Sequence, residues 1–200
     1  MKTTMQAVLT ASTLLAMLLL PASTFAGEIK GKVTGLRSLE SIAVYIDAIP
    51  GKNFDPPAKH LVEDQKHMTF VPHVLVVLKG GTVDFLNSDP VGHNVYWSSV
   101  GGNKKLHFNL GTWPQGQTKS FTFNDLGVAP LLCNVHPEMA GYVVVVPTPY
   151  FTTTNKAGEF EIKDVPDGSY TLKTWSEEGK PASQTVNVSG STSVNITVSK

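Results

Sequence analysis

After residue 26, no window of this chain sustains a helical period. Val, Ile, Thr and aromatic residues instead recur in short runs broken by Gly, Pro, Asn and Asp. Such runs become strands, because β-branched and aromatic side chains pack well on a pleated sheet, and the punctuating residues supply the turns. The pattern predicts an all-β protein. Strands are expected near residues 28–34, 41–48, 74–78, 82–86, 94–98, 105–110, 120–124 and 143–146, then 151–154, 159–163, 170–176, 184–188 and 194–198. Residues 55–67 fit either a helical turn or a loop.

The first 26 residues read as a leader. Lys2 is followed by an apolar run over residues 7–20, too short to span a bilayer comfortably, then by Pro21 and the small residues Thr24 and Ala26. Cleavage after Ala26 would deliver the rest to the periplasm, with no membrane insertion afterwards; an uncleaved anchor is the competing reading. No cysteine follows the run to accept a lipid. With Lys2 removed, 15 of the 16 basic residues remain against 16 acidic ones, so the mature chain is almost neutral. That balance argues against nucleic acid as a partner.

One cysteine cannot staple an exported chain, so Cys133 is reactive, metal-bound or inertly buried. Its neighbours narrow the choice. Cys133, His136 and Met139 stand at i, i+3 and i+6 in one short loop, between the apolar run 128–132 and the β-branched run 141–146. His93 is the best fourth member, in a loop that leaves an apolar strand. Two imidazoles, a thiolate and a weak thioether form the donor set of a blue-copper electron-transfer site. Zinc competes for Cys and His, but methionine is a poor zinc ligand. Singly, the cysteine and methionine are as easily ordinary core residues. His60, His67, His73 and His107 lack metal-ligand spacing to one another, although His67-Met68 could make a weaker second contact. Glu138 is a conceivable oxygen ligand, and Trp97 and Trp113 are expected in the core or at its rim.

Phe70-Val71-Pro72, Gly81 to Phe85, His93-Asn94 and Cys133 to Tyr142 resemble the cupredoxins over about residues 54–147, most of all the amicyanin/plastocyanin-like branch with its compact C-x-x-H-x-x-M loop. The resemblance implies a Greek-key β-sandwich. It also implies one type 1 copper per chain, with His93, Cys133 and His136 as equatorial ligands, Met139 as axial ligand, and electrons passing through the His136 edge.

The last fifty residues carry the turns Asn155 to Gly158 and Val165 to Gly168. With their flanking strands these resemble the carboxypeptidase-regulatory-like (transthyretin-like) β-sandwich. Domains of that kind begin with strands like Ile29 to Val33 and Ala43 to Ile46, which here stand at the front of the mature chain. The expected layout is a leader (1–26), N-terminal strands (27–50), a cupredoxin domain (51–147) and a small β-sandwich (148–200) that takes up the N-terminal strands. Alternatively, those strands belong to the central domain. Asn187 and Asn195 match glycosylation acceptors.

The expected function is electron carriage, not enzymatic catalysis, since four ligands leave no open position for a substrate and no hydrolytic motif appears. The partner class is a redox protein such as a c-type cytochrome or periplasmic oxidoreductase. Two other readings remain: a periplasmic copper carrier without an electron-transfer role, and a cell-envelope binding module with an accessory copper site.

Overall fold

The structure, a computed structural model, describes residues 26–200. The expected leader lies outside them except for Ala26. Among the described residues, no helix is long and apolar enough to cross a membrane. The strands in chain order are β1 Ala26–Thr34, β2 Ala43–Ile46, β3 Leu61–Lys66, β4 Thr69–Val71, β5 Val74–Leu78, β6 Thr82–Asn87, β7 His93–Trp97, β8 Phe108–Trp113, β9 Thr118–Thr122, β10 Gly127–Leu132 and β11 Ala140–Val146. They continue with β12 Phe151–Thr153, β13 Glu159–Pro166, β14 Gly168–Trp175, β15 Ser183–Val188 and β16 Ser191–Thr197. The fold is all-β.

Strands β3 to β11 build a central sandwich. A sheet ordered β5-β11-β10-β7-β8 faces one ordered β4-β3-β6-β9. Phe70, Phe85, Trp97, Trp113, Phe123, Leu131 and Val143 fill the space between them. The remaining strands form an outer sandwich, with β13-β1-β16 facing β12-β2-β14-β15. The N-terminal strands are internal to both of its sheets. β1 pairs with β13 on one side and β16 on the other, and β2 lies between β12 and β14.

The valine run of β11 shows how the two sandwiches meet. Side chains alternate across a strand. Val143 and Val145 therefore enter the central core, while Val144 and Val146 point the other way, onto Ala43, Tyr45, Phe151 and Trp175 of the outer unit. A strand buried on both faces reads as a continuous apolar run, and this one does. At the rim of that interface, Tyr142 Oη donates to Glu177 Oε1 at 2.8 Å and His73 Nε2 lies 2.8 Å from Glu177 Oε2. The His73 contact leads in holding the Glu177 carboxyl below the usual range. Burial, aided by Glu177, pushes the Tyr142 phenol up to about 12.

Two local expectations need correction. Within 55–67, residues 55–60 are loop, but residues 61–67 belong to the β3–β4 hairpin, neither a helical turn nor a loop. The strand expected at 105–110 begins only at Phe108, because Asn103 caps a single 3-10 turn at Lys104–Leu106 by accepting the Lys105 N–H at 3.0 Å.

Candidate metal centre

The site lies at one end of the central sandwich, where β6 ends, β7 begins, and the loop joining β10 to β11 crosses over. His93 is the first residue of β7 and is fully buried. Cys133 follows β10 and is also buried. His136 stands three residues on and is half-buried. The loop is tied back on itself by the Met139 N–H, which donates to the His136 carbonyl at 3.0 Å.

His93 Nδ1 lies 2.9 Å from His136 Nδ1, and Cys133 Sγ lies 3.9 Å from that same His136 nitrogen. One donor atom from each of the three residues falls within 4.8 Å of the others. Metal–nitrogen and metal–sulfur bonds run about 2.0–2.3 Å, so a single ion can bridge donors spaced like these. The donor types suit a soft or borderline metal, and the three residues fit copper. Met139 is buried in the same core cluster as Cys133, while Glu138 is exposed.

Asn94, next in β7, secures the surroundings. Its backbone N–H points at Cys133 Sγ, 3.5 Å away, and its Oδ1 accepts the Asn134 N–H at 3.3 Å. Its Nδ2 donates to Asn109 Oδ1 at 2.9 Å, linking the ligand loop to β8. Behind His93 lies Asp89, whose Oδ2 is 2.9 Å from His93 Nε2. Burial pushes the Asp89 carboxyl up, but the Met68 N–H, the His93 ring and the His67 N–H outweigh it and leave the group below its usual value.

Neither Asp89 nor Asn94 was singled out from sequence as part of the site. The available signal was an acidic residue one β-turn before a candidate ligand, since metal-bound histidines usually give their second nitrogen to a carboxylate or carbonyl. None of the remaining histidines joins the cluster of donors. His60 meets Asp84, His73 meets Glu177, and His107 Nδ1 lies against the Lys104 carbonyl. His67 occupies the β3–β4 turn. Trp113 is buried and pairs in register with His93.

Residues 58–146 match the family described as copper binding proteins, plastocyanin/azurin family, and the central unit has the cupredoxin fold. Among solved structures, the chain is similar to the reduced Cu(I) form at pH 4 of an amicyanin variant, with 27% identity over 51% of this chain and 97% of that one, at a TM-score of 0.40. An oxidised amicyanin variant shows 26% identity over 51% and 97%, at a TM-score of 0.41. A copper-containing nitrite reductase from Thermus scotoductus SA-01 shows 24% identity over 52% of this chain and 25% of its own, at 0.42. No curated protein matches the chain in sequence.

For the outer unit the matching family differs from the one its turns resemble. Residues 148–196 match polysaccharide lyase family 4, domain II, and the carboxypeptidase-regulatory-like assignment gains no support. That resemblance rested on turn residues such as Asn155 to Gly158, and the same turn chemistry serves β-sandwiches of many families.

Proposed function

We propose that this protein is a periplasmic type 1 copper protein that carries single electrons between redox partners, one of them of the c-type cytochrome or periplasmic oxidoreductase class. It would hold one copper through His93, Cys133 and His136, with Met139 as the axial ligand. The observation that carries the reading is the convergence of two imidazoles and the only thiol at the buried end of a plastocyanin/azurin-family domain. Copper, when bound, would supply a one-electron couple.

The protein's part is to hold the donors rigidly and keep water away. His93 is anchored in a strand, Cys133 is braced by the Asn94 N–H, and the loop is closed by its own hydrogen bond. Donors that cannot relax keep one geometry through a change of charge, which lowers the reorganisation that electron transfer requires. His93 is fully enclosed and His136 is not, so the His136 ring is the way out. Val135 in the ligand loop, Val91 beside His93 and Met68 at the hairpin tip are exposed apolar side chains on elements that border the site. Such a surface suits brief docking of a partner.

Copper loading tests the proposal directly. An intense visible thiolate-to-copper band that disappears in Cys133→Ser is expected. Colourless protein after Cu(II) loading under oxidising conditions would refute it. Rapid mixing with a reduced c-type cytochrome separates the carrier roles. Fast reduction marks an electron carrier, whereas slow exchange with ready copper release to an acceptor marks a copper carrier.

A further inference from the structure

The β3–β4 hairpin turns in two residues, His67 and Met68, since Lys66 pairs with Thr69 across it. Both turn residues have positive φ, 54° and 56°. Two-residue turns of this hand favour Asn-Gly, because side chains crowd the backbone there. Histidine and methionine are poor choices for the turn itself. A backbone held in such a region against preference points to something that fixes it.

What the turn achieves is a convergence of backbone N–H groups. The His67 N–H reaches Asp89 Oδ1 at 2.7 Å and the Met68 N–H reaches Asp89 Oδ2 at 2.8 Å. Oδ2 also meets His93 Nε2 at 2.9 Å. Asp89 is buried, and its own N–H is held by Asn87 Oδ1 at 2.9 Å. Asn87 is fixed in turn, its Nδ2 donating to the Val91 and Trp113 carbonyls at 2.8 and 3.0 Å. One carboxylate, locked at its backbone, therefore gathers two main-chain donors and one ring.

We propose that the His67-Met68 turn and Asp89 form a positioning device that sets the tautomer and orientation of His93 before any metal arrives. A carboxylate only accepts, so Nε2 carries the hydrogen. In the neutral form of the ring the lone pair then stays on Nδ1, the atom 2.9 Å from His136 Nδ1. The turn acts through Asp89 and does not touch the metal donors. Main-chain N–H groups do this work, which frees the His67 and Met68 side chains to stand exposed at the rim. The inference rests on His93 being a ligand in the proposed copper centre, but the tautomer belongs to the metal-free protein.

Long-range nitrogen–proton NMR of the metal-free, full-length mature protein reads that tautomer. Wild type is expected to show His93 as a single Nε2–H species, whether or not copper binds later. Asp89→Ala removes the acceptor from all three donors. His93 should then populate the Nδ1–H form, and copper affinity by chelator competition should fall about 10–100-fold. The double variant His67→Asn with Met68→Gly keeps both N–H groups in a turn that suits them, and should preserve the tautomer and the affinity. Wild-type His93 in the Nδ1–H form would overturn the proposal, even if Asp89→Ala did not fold. So would a folded Asp89→Ala protein with the tautomer and affinity unchanged, or loss of the tautomer in the turn variant. Wild-type protein with the expected tautomer but no copper binding would refute the copper reading and leave the device standing.

Discussion

Glu63 points into the core of the central sandwich with neither carboxylate oxygen bonded. Burial, with the charge of neighbouring Asp64 adding to it, pushes its carboxyl up to about 9 from an ordinary 4.5. The folded protein thus keeps this proton at pH values where the unfolded chain has lost it. Native stability should fall as pH rises from about 4.5 to about 9, and the penalty is absent below that window. Glu63→Gln removes the titration and keeps the shape. It should stabilise the protein by up to about 5 kcal/mol near pH 8, since each pKa unit corresponds to about 1.4 kcal/mol. The gain should vanish near pH 4. Urea denaturation of both proteins at the two pH values checks this; an equal gain at both would rule out the carboxyl proton as the cause. The same residue explains a failure of reading. In Leu61-Val62-Glu63-Asp64-Gln65, hydrophobicity would place Val62 inside and Glu63 outside, whereas Glu63 and Gln65 are buried and Val62 is exposed. The cluster of His93, Cys133 and His136 was legible because thiol and imidazole are scarce and their spacing is telling. Asp89 was not, because a single aspartate in a loop has many ordinary uses.

At the scale of elements, the strands easiest to read were those buried on both faces, such as β11. The β3–β4 hairpin was missed because the inner face of β3 is polar and the turn lacks glycine. β11 also contains a constraint that hydrophobicity does not reveal. A Cβ on Gly141 would sit 2.8 Å from Phe70 Cβ and 3.2 Å from its Cγ, so β4 approaches β11 where only glycine fits. Phe70 is buried and cannot swing away. Gly141→Ala should destabilise the domain by roughly 1–3 kcal/mol, the usual cost of overpacking a filled core. Met139 lies two residues upstream, so the displaced strand should also disturb the ligand loop and shift the visible band of the copper-loaded protein. Adding Phe70→Gly, which removes the Cβ and Cγ that meet the new methyl group, should make the double variant less destabilised than the sum of the two single ones. Thermal denaturation of the two single variants and the double variant measures that coupling; strictly additive effects would mean that the contact with Phe70 is not the cause.

At the scale of the molecule, the outer sandwich depends on strands that lie a hundred residues apart in sequence. Its core takes Ile29, Val33, Ile42, Val44, Ile46 and Ile49 from the N-terminal segment, alongside Phe160, Ile162, Leu172, Val186, Val194 and Ile196 from the C-terminal one. Neither set closes a core alone, and small β-units have little burial to spare. Residues 148–200 expressed alone should therefore show no cooperative urea transition by circular dichroism. The break is short in space. Thr148 Oγ1 donates to the Ile46 carbonyl at 2.6 Å, and the Ile46 N–H donates to the Tyr150 carbonyl at 3.0 Å. Residues 26–50 joined to 148–200 by a short Gly/Ser linker should thus restore a cooperative transition. That protein would leave Ala43, Tyr45, Phe151 and Trp175 without the Val74, Val76, Val144 and Val146 surface that covers them. An uncovered apolar face of this kind promotes association, so sedimentation should show the linked outer unit self-associating, while Tyr45→Lys in it should lower that tendency and leave the fold intact. A cooperative transition in 148–200 alone would show that the N-terminal strands are dispensable to the core they occupy.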